Sequence, residues 1–323
     1  MHLSSRWISA LASIVVLLSV TTATAQTVGT SGTADPPPLL REEVGSVSSR
    51  DLFWGTGTAD RAPQGPFKFI EEKTNGTQPK IVVSDTAGVT WDVKFGSEAH
   101  AEIAASRLMF AVGYYTEELY FVPSGKVEGV PTLRRAGDHL DAAGAFSNAR
   151  FSRRDPNVTA SRDEWTFHEN PFLGQKELSG LLIMMTLLSN WDIRGPANNA
   201  VVHARTPAGL QERRYLVSDL GATFGRMGGA ISNHSKWKLA DYRAEGFIEK
   251  VEGTVVHLDY DGYDSAMDRV PLEHARWFAA IVSQLTPEQI RRAFDAAGAA
   301  PEEAEGFSRR VVEKIAELKA AVR

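Results

Sequence analysis

The chain has 323 residues, 43% of them apolar and 23% charged, with 35 Lys and Arg against 40 Asp and Glu and no cysteine. That mix excludes disordered and fibrous classes and leaves length enough to bury one large core or two smaller ones. Without cysteine there is no disulfide scaffold, no Cys-ligated zinc, no iron–sulfur cluster and no thiol nucleophile. The net charge of −5, with no basic block, makes nucleic acid a poor partner.

Arg6 precedes an apolar run over 8–20, and Ala23-Thr24-Ala25 follows just before Gln26. A basic start, a short apolar stretch and an A-x-A site describe a secretory signal peptide over 1–25. The run is too short for a membrane anchor, which needs about 20 residues to cross roughly 30 Å of hydrocarbon. A periplasmic or secreted product with no membrane span after cleavage is therefore expected. Residues 26–50, rich in Thr, Ser, Gly and Pro, read as a flexible leader.

Short strands are predicted over 67–72, 80–84 and 89–95, divided by the turns Thr74-Asn75-Gly76 and Asp85-Thr86-Ala87-Gly88. Ser97 stands where it can cap a helix with Ala101, Ala104, Ala105, Leu108, Met109 and Val112 on one face and Gly113 as its stop. A strand over 119–122 follows. Residues 51–135 thus read as a small antiparallel sheet with one helix after its third strand. From 136 to 323 the chain reads as a larger, mainly helical part. Residues 174–190 carry Leu178, Leu181, Leu182, Met185 and Leu188 at helical spacing, apolar enough for a central buried helix. A hairpin is predicted over 199–204 and 213–218. Thr286-Pro287-Glu288-Gln289 opens one helix with a capping box, and 302–322 suits a last amphipathic one. The class is α+β, in a two-lobed plan.

Three groups of polar residues are hard to explain as structure alone. Lys94 ends the third strand, and Glu98 and Glu102 follow on the helix. Such a pair can aim an ammonium at nucleotide phosphates, or it can be a surface ion pair worth under about 1 kcal/mol. Asn190-Trp191-Asp192 follows the buried helix, with Asn198 and Asn199 shortly after. Asp192 could accept a proton, and an amide oxygen could ligate a hard cation; an Asx-rich turn is the alternative. Asp219-Leu220-Gly221 sets a carboxylate at a strand end, where a phosphate-bridging metal could be held, or a turn capped. The serial order of lysine, glutamate, aspartate, asparagine and Asp-x-Gly on these elements is that of a kinase-type fold.

Residues 74–80, Thr-Asn-Gly-Thr-Gln-Pro-Lys, resemble the G-x-Q-x-K stretch of HipA-type bacterial serine/threonine kinases. Asn190-Trp191-Asp192 with Asn198-Asn199 resembles the N-x-D-x-x-x-x-N loop of HipA-type, spore-coat CotH-type and phosphatidylinositol-type kinases, and Asp219-Leu220-Gly221 is similar to their metal motif. Residues 51–294 also look like a group of secreted bacterial proteins that share Trp-x-Val-Lys, Asn-Pro-Phe and Asn-Trp-Asp motifs. The resemblance implies an atypical kinase-like phosphotransferase using ATP and Mg²⁺ on a protein or small-molecule acceptor. It implies Asp192 as the catalytic aspartate, Lys94 paired with Glu102 (Glu98 as second choice) on the phosphates, and Asn198 or Asn199 with Asp219 on the metal. The turn at Gly76 and Thr77 would cover the phosphates, and residues 120–122 would form the adenine-side hinge. One departure is that the first asparagine comes six residues after Asp192 rather than five. Another is that there is no His-Arg-Asp motif.

Other chemistries fare worse. The eight histidines show no H-E-x-x-H spacing and there is no G-x-S-x-G elbow. The alternative of a different class is a catalytically inactive pseudokinase serving as a cell-envelope binding or assembly module.

Overall fold

The computed structural model describes residues 35–323, apart from 75, 77, 194–198, 229–232 and 263–267. The expected signal peptide, Thr77 and Asn198 lie outside the described residues. Where the leader is described, it is a strap. Pro38–Leu39 (β1) pairs in parallel with a strand far along the chain. Leu40 and Val47 are buried. Arg41 donates from Nε and Nη2 to the Val112 carbonyl at 3.3 and 3.1 Å, and Gln289 donates to the Val47 and Arg50 carbonyls at 3.0 and 2.9 Å. The flexible leader is thus corrected for 35–50. Its composition hides the reason, because the groups that take up its backbone come from distant parts of the chain.

Five strands then close into a barrel: β2 (Phe67–Lys73), β3 (Lys80–Ser84), β4 (Thr90–Phe95), β5 (Leu119–Glu128) and β6 (Ala145–Arg153), in the order β2-β3-β4-β6-β5. All neighbours are antiparallel except the β2–β5 seam. Alternation builds its core. Trp91, Val93 and Phe95 of β4 pack with Ile81, Val83, Phe67 and Phe151, which leaves Thr90, Asp92 and Lys94 on the other face. The barrel reaches past the boundary at 135 because it draws in β6. That strand is hard to see in the sequence. Phe146 and Phe151 share one core but lie an odd number of residues apart, and Asn148 between them takes a left-handed φ of 54°. β5 turns back into β6, so the chain leaves the barrel after Arg153.

Helix α1 (Glu98–Ala111) sits between the third and fourth barrel strands in sequence, as expected. Ser97 is at its N-cap position but has helical dihedrals and makes no side-chain capping bond. Gly113, at φ 94°, ends the helix where any Cβ would run into the Glu42 carbonyl of the strap. The expected apolar face is buried, and so are Glu98, Glu102, Ser106 and Arg107 around it. Arg107 is held by the Phe53 and Leu119 carbonyls at 3.1 and 2.6 Å.

The remainder runs β7 (Val158–Glu164), α2 (Lys176–Leu187), β8 (Asn199–Arg205), β9 (Gln211–Val217), α3 (Leu239–Ala244), β10 (Ile248–Glu252), β11 (Val255–Leu258), β12 (Arg269–Pro271), α4 (Leu272–Val282), α5 (Pro287–Ala296) and α6 (Pro301–Ala321). It is less helical than its sequence suggests. β7, β8 and β9 form a four-stranded sheet with β1, and β10–β12 form a second, three-stranded one. α2 is buried along almost its whole length, with α4 and α6 against it. The capping box is present on α5: the Gln289 amide donates to Thr286 Oγ1, and the Thr286 amide to Gln289 Oε1, both at 3.1 Å. Among the described residues no helix is long and apolar enough to cross a membrane. Among the described residues the fold is thus a mixed α and β one with sheets and six helices.

Candidate active site

Barrel register sets three cations side by side. Lys80 of β3 lies opposite Lys94 of β4, and Lys94 lies opposite Arg150 of β6. Like charges placed directly across strands repel, so the row needs anions. α1 supplies the first. Glu102, 1% exposed, accepts from Lys94 Nζ at 3.1 Å on one oxygen and from Arg150 Nη2 at 2.8 Å on the other. Asp219, two residues beyond β9, supplies the second, and its Oδ1 accepts from Lys94 Nζ at 2.6 Å. Lys94 therefore joins two carboxylates that are far apart in the chain.

The charges tune one another. Burial works against the Lys94 ammonium, but Glu102 and Asp219 outweigh it and hold its pKa above the ordinary lysine value. Burial would raise Asp219, yet Lys94, with Lys80 and Arg150 behind it, holds its pKa below the usual range. Lys80 goes the other way: burial and the Lys94 charge push it down. Among the described residues Lys80 makes no ion pair. Its ammonium lies 3.3 Å from where a Cβ on Gly76 would stand, so a turn without a side chain there, at φ 75°, lets β2–β3 approach it. Glu117, just before β5, is half-buried beside Arg150, and burial pushes its carboxyl upward.

The loop after β9 is locked to α1. Asp219 takes a left-handed φ of 52°. Gly221 approaches Glu98 so closely that a Cβ would stand 3.0 Å from that side chain. Thr223 Oγ1 donates to the Ala101 carbonyl at 3.3 Å. Glu98 pairs with Lys236, so it is not the partner of Lys94. The same loop ties down the end of α2. The Trp191 amide donates to Ala222 O at 3.3 Å and the Phe224 amide to Leu188 O at 2.9 Å, which brings the residue before Asp192 against the residue three beyond Asp219. Asp192 is half-buried, and its amide donates to Asn190 Oδ1 at 2.9 Å. Asn199 is buried at the start of β8, opposite Val217, with its amide nitrogen on the Trp165 carbonyl at 3.4 Å.

Among solved structures the chain is similar to the Helicobacter pylori proinflammatory kinase CtkA, with a TM-score of 0.43, 12% identity, and 80% of this chain and 95% of that one covered. It is also similar to the Golgi casein kinase, at a TM-score of 0.44 and 11% identity over 87% and 84% of the two chains. A form of that kinase with Mn/ADP bound gives 0.43 and 11% over 84% and 80%. No family model matches the chain, and no curated protein does.

The structure thus brings Lys94, Glu102 and Asp219 into direct contact, sets Gly76 against Lys80, and joins the Asp192 and Asp219 loops through backbone bonds. Sequence reasoning missed Arg150 and Glu117. Finding Arg150 requires β6 and its register first. A cavity of about 620 Å³ opens elsewhere, at 126–144 near the end of β5. Asp141 there already accepts from the Ala143 and Ala145 amides, and none of the clustered charges lines it.

Proposed function

We propose that the chain is an atypical, two-lobed kinase-like phosphotransferase that uses Mg-ATP or a related nucleotide on a protein or small-molecule acceptor. The observation that carries this is the bridge from Glu102 through Lys94 to Asp219. A lysine held between a helix glutamate and a loop aspartate could meet phosphate oxygens, and the aspartate could hold their metal.

The residues present fit that ligand. Asp219 keeps a side chain 41% exposed in spite of its bond to Lys94, and Lys80 adds a cation without an ion-pair partner among the described residues. Among those residues no group of three or more His, Cys, Asp or Glu is placed to hold a metal. This suits Mg²⁺, which one or two carboxylates hold together with substrate phosphates rather than in an all-protein cage. Asp219, with Asn198 or Asn199, would hold the cation; Lys94 and the turn at Gly76 and Thr77 would hold the phosphates. The bound metal and nucleotide supply the transferable phosphoryl group and neutralise charge as it develops. Asp192 would orient the acceptor hydroxyl and take its proton. Arg150 acts through Glu102, keeping that carboxylate turned to Lys94.

Mg-ATP is expected to raise the melting temperature of the wild-type protein. At a ligand concentration 100 times Kd the stabilisation is about 2.7 kcal/mol. Asp219→Ala should abolish the rise. A wild-type protein that does not respond, or a variant that responds equally, refutes the reading; the inactive binding module is then preferred. We also propose export, on the pattern of residues 1–25: the mature protein recovered from outside the cytoplasm should begin at Gln26 on N-terminal sequencing, and an intact Met1 would exclude it.

A further inference from the structure

Lys314, on α6, is fully buried and forms no ion pair among the described residues. An ammonium removed from water without a carboxylate partner is costly, so stability alone does not account for a lysine here. Its Nζ donates to Ser189 Oγ at 3.0 Å. It lies 4.6 Å from the Tyr242 ring centroid and 5.8 Å from that of Phe247. Ser189 is itself buried and takes a left-handed φ of 51° as the residue that closes α2, where its amide donates to the Thr186 carbonyl at 3.0 Å and the Asn190 amide to the Met185 carbonyl at 2.9 Å. The residue is the hinge between α2 and Asn190-Trp191-Asp192. Asn190 in turn accepts the Asp192 amide on its side chain. Tyr242, whose ring faces the ammonium, donates its hydroxyl to the Leu187 carbonyl at the end of α2 at 2.8 Å.

We propose that Lys314 is a positioning residue for the catalytic loop, holding Ser189 in the turn from which Asp192 is presented. The inference deepens the phosphotransferase reading and rests on it for the role of Asp192. The negative end of the α2 dipole favours a cation at this place. Around it stand Arg310 and Glu317 on α6, Glu245 after α3, Asp259 after β11, and Tyr242 and Ser189 from α3 and the loop. Burial, aided by Arg310 and opposed by Glu245, Glu317 and Asp259, lowers the Lys314 pKa to about 7. The strength of the grip on Ser189 therefore changes with pH near neutrality.

Two variants test this. Lys314→Met keeps the volume and removes the ammonium. Ser189→Ala keeps the Cβ and removes only the hydroxyl that Lys314 holds, so it remains informative if the first variant does not fold. Hydrogen exchange of the backbone over 186–193, without nucleotide, should speed up about tenfold in both. In the wild type that rate should step near pH 7 beyond its intrinsic pH dependence, and the step should vanish in both variants. Hydrolysis of Mg-ATP, with water standing in for the acceptor, should lose kcat while the melting shift with Mg-ATP persists. Unchanged exchange with no pH step in the wild type overturns the role of Lys314. If the wild type neither binds nor hydrolyses Mg-ATP, the phosphotransferase reading falls, and the exchange result still decides whether Lys314 holds the loop.

Discussion

Replacing Glu102 by alanine is expected to cost about 3–5 kcal/mol of folding stability, read as a lower urea midpoint at unchanged slope. The size follows from what the carboxylate leaves behind. Its two oxygens serve two different buried cations, Lys94 at 3.1 Å and Arg150 at 2.8 Å. Without it Arg150 keeps, among the described residues, one long hydrogen bond of 3.5 Å to the Asp92 carbonyl and the nearby charge of Glu117, and its Nε already has no partner. Lys94 keeps Asp219, which is partly in water and screens poorly as a sole counterion. Lys80 then faces an uncompensated row of charge across β3, β4 and β6. Lys94→Met should cost less, because Glu102 keeps Arg150 and the repulsion on Lys80 falls. A loss below about 1 kcal/mol for Glu102→Ala, the range of an exposed pair, would show that the triad is open to solvent and does not hold α1 against the barrel.

That triad also marks how far the sequence could be read. Lys94 and Glu102 were legible because each sits on an element with a clear period: alternation through Trp91, Val93 and Phe95, then a helix beginning just after Ser97. Asp219 was legible from its place after a strand and two residues before Gly221, which the structure explains by the approach of Glu98. Arg150 was not, because β6 breaks alternation at Asn148 and carries polar residues toward α1, where an isolated strand would turn them to water. The strap at 35–50 was hidden for a related reason. Its order comes from Arg41 reaching the end of α1 and from Gln289 reaching back to Val47 and Arg50, partners that no local pattern shows. Lys314 is the extreme case. In sequence it sits among Lys, Glu and Arg on what looks like a solvated helix face, yet the structure turns it inward onto Ser189.

Asp192→Asn should divide binding from chemistry. Turnover is expected to fall by about 10²–10⁴-fold, the usual contribution of a positioned base, while the melting shift with Mg-ATP stays at its wild-type size. The cationic row and Asp219 gather on Lys94, whereas Asp192 is placed by a separate set of contacts, its own amide on Asn190 and the Trp191 amide on Ala222. An amide side chain at 192 preserves the size and leaves that backbone bond intact, while the negative charge and the ability to accept a proton are lost. Equal turnover in the variant would remove Asp192 from the chemistry and leave the Lys94 cluster as a nucleotide-binding device alone. A lost melting shift would instead place Asp192 on the metal, and the division of labour between the two loops would have to be redrawn.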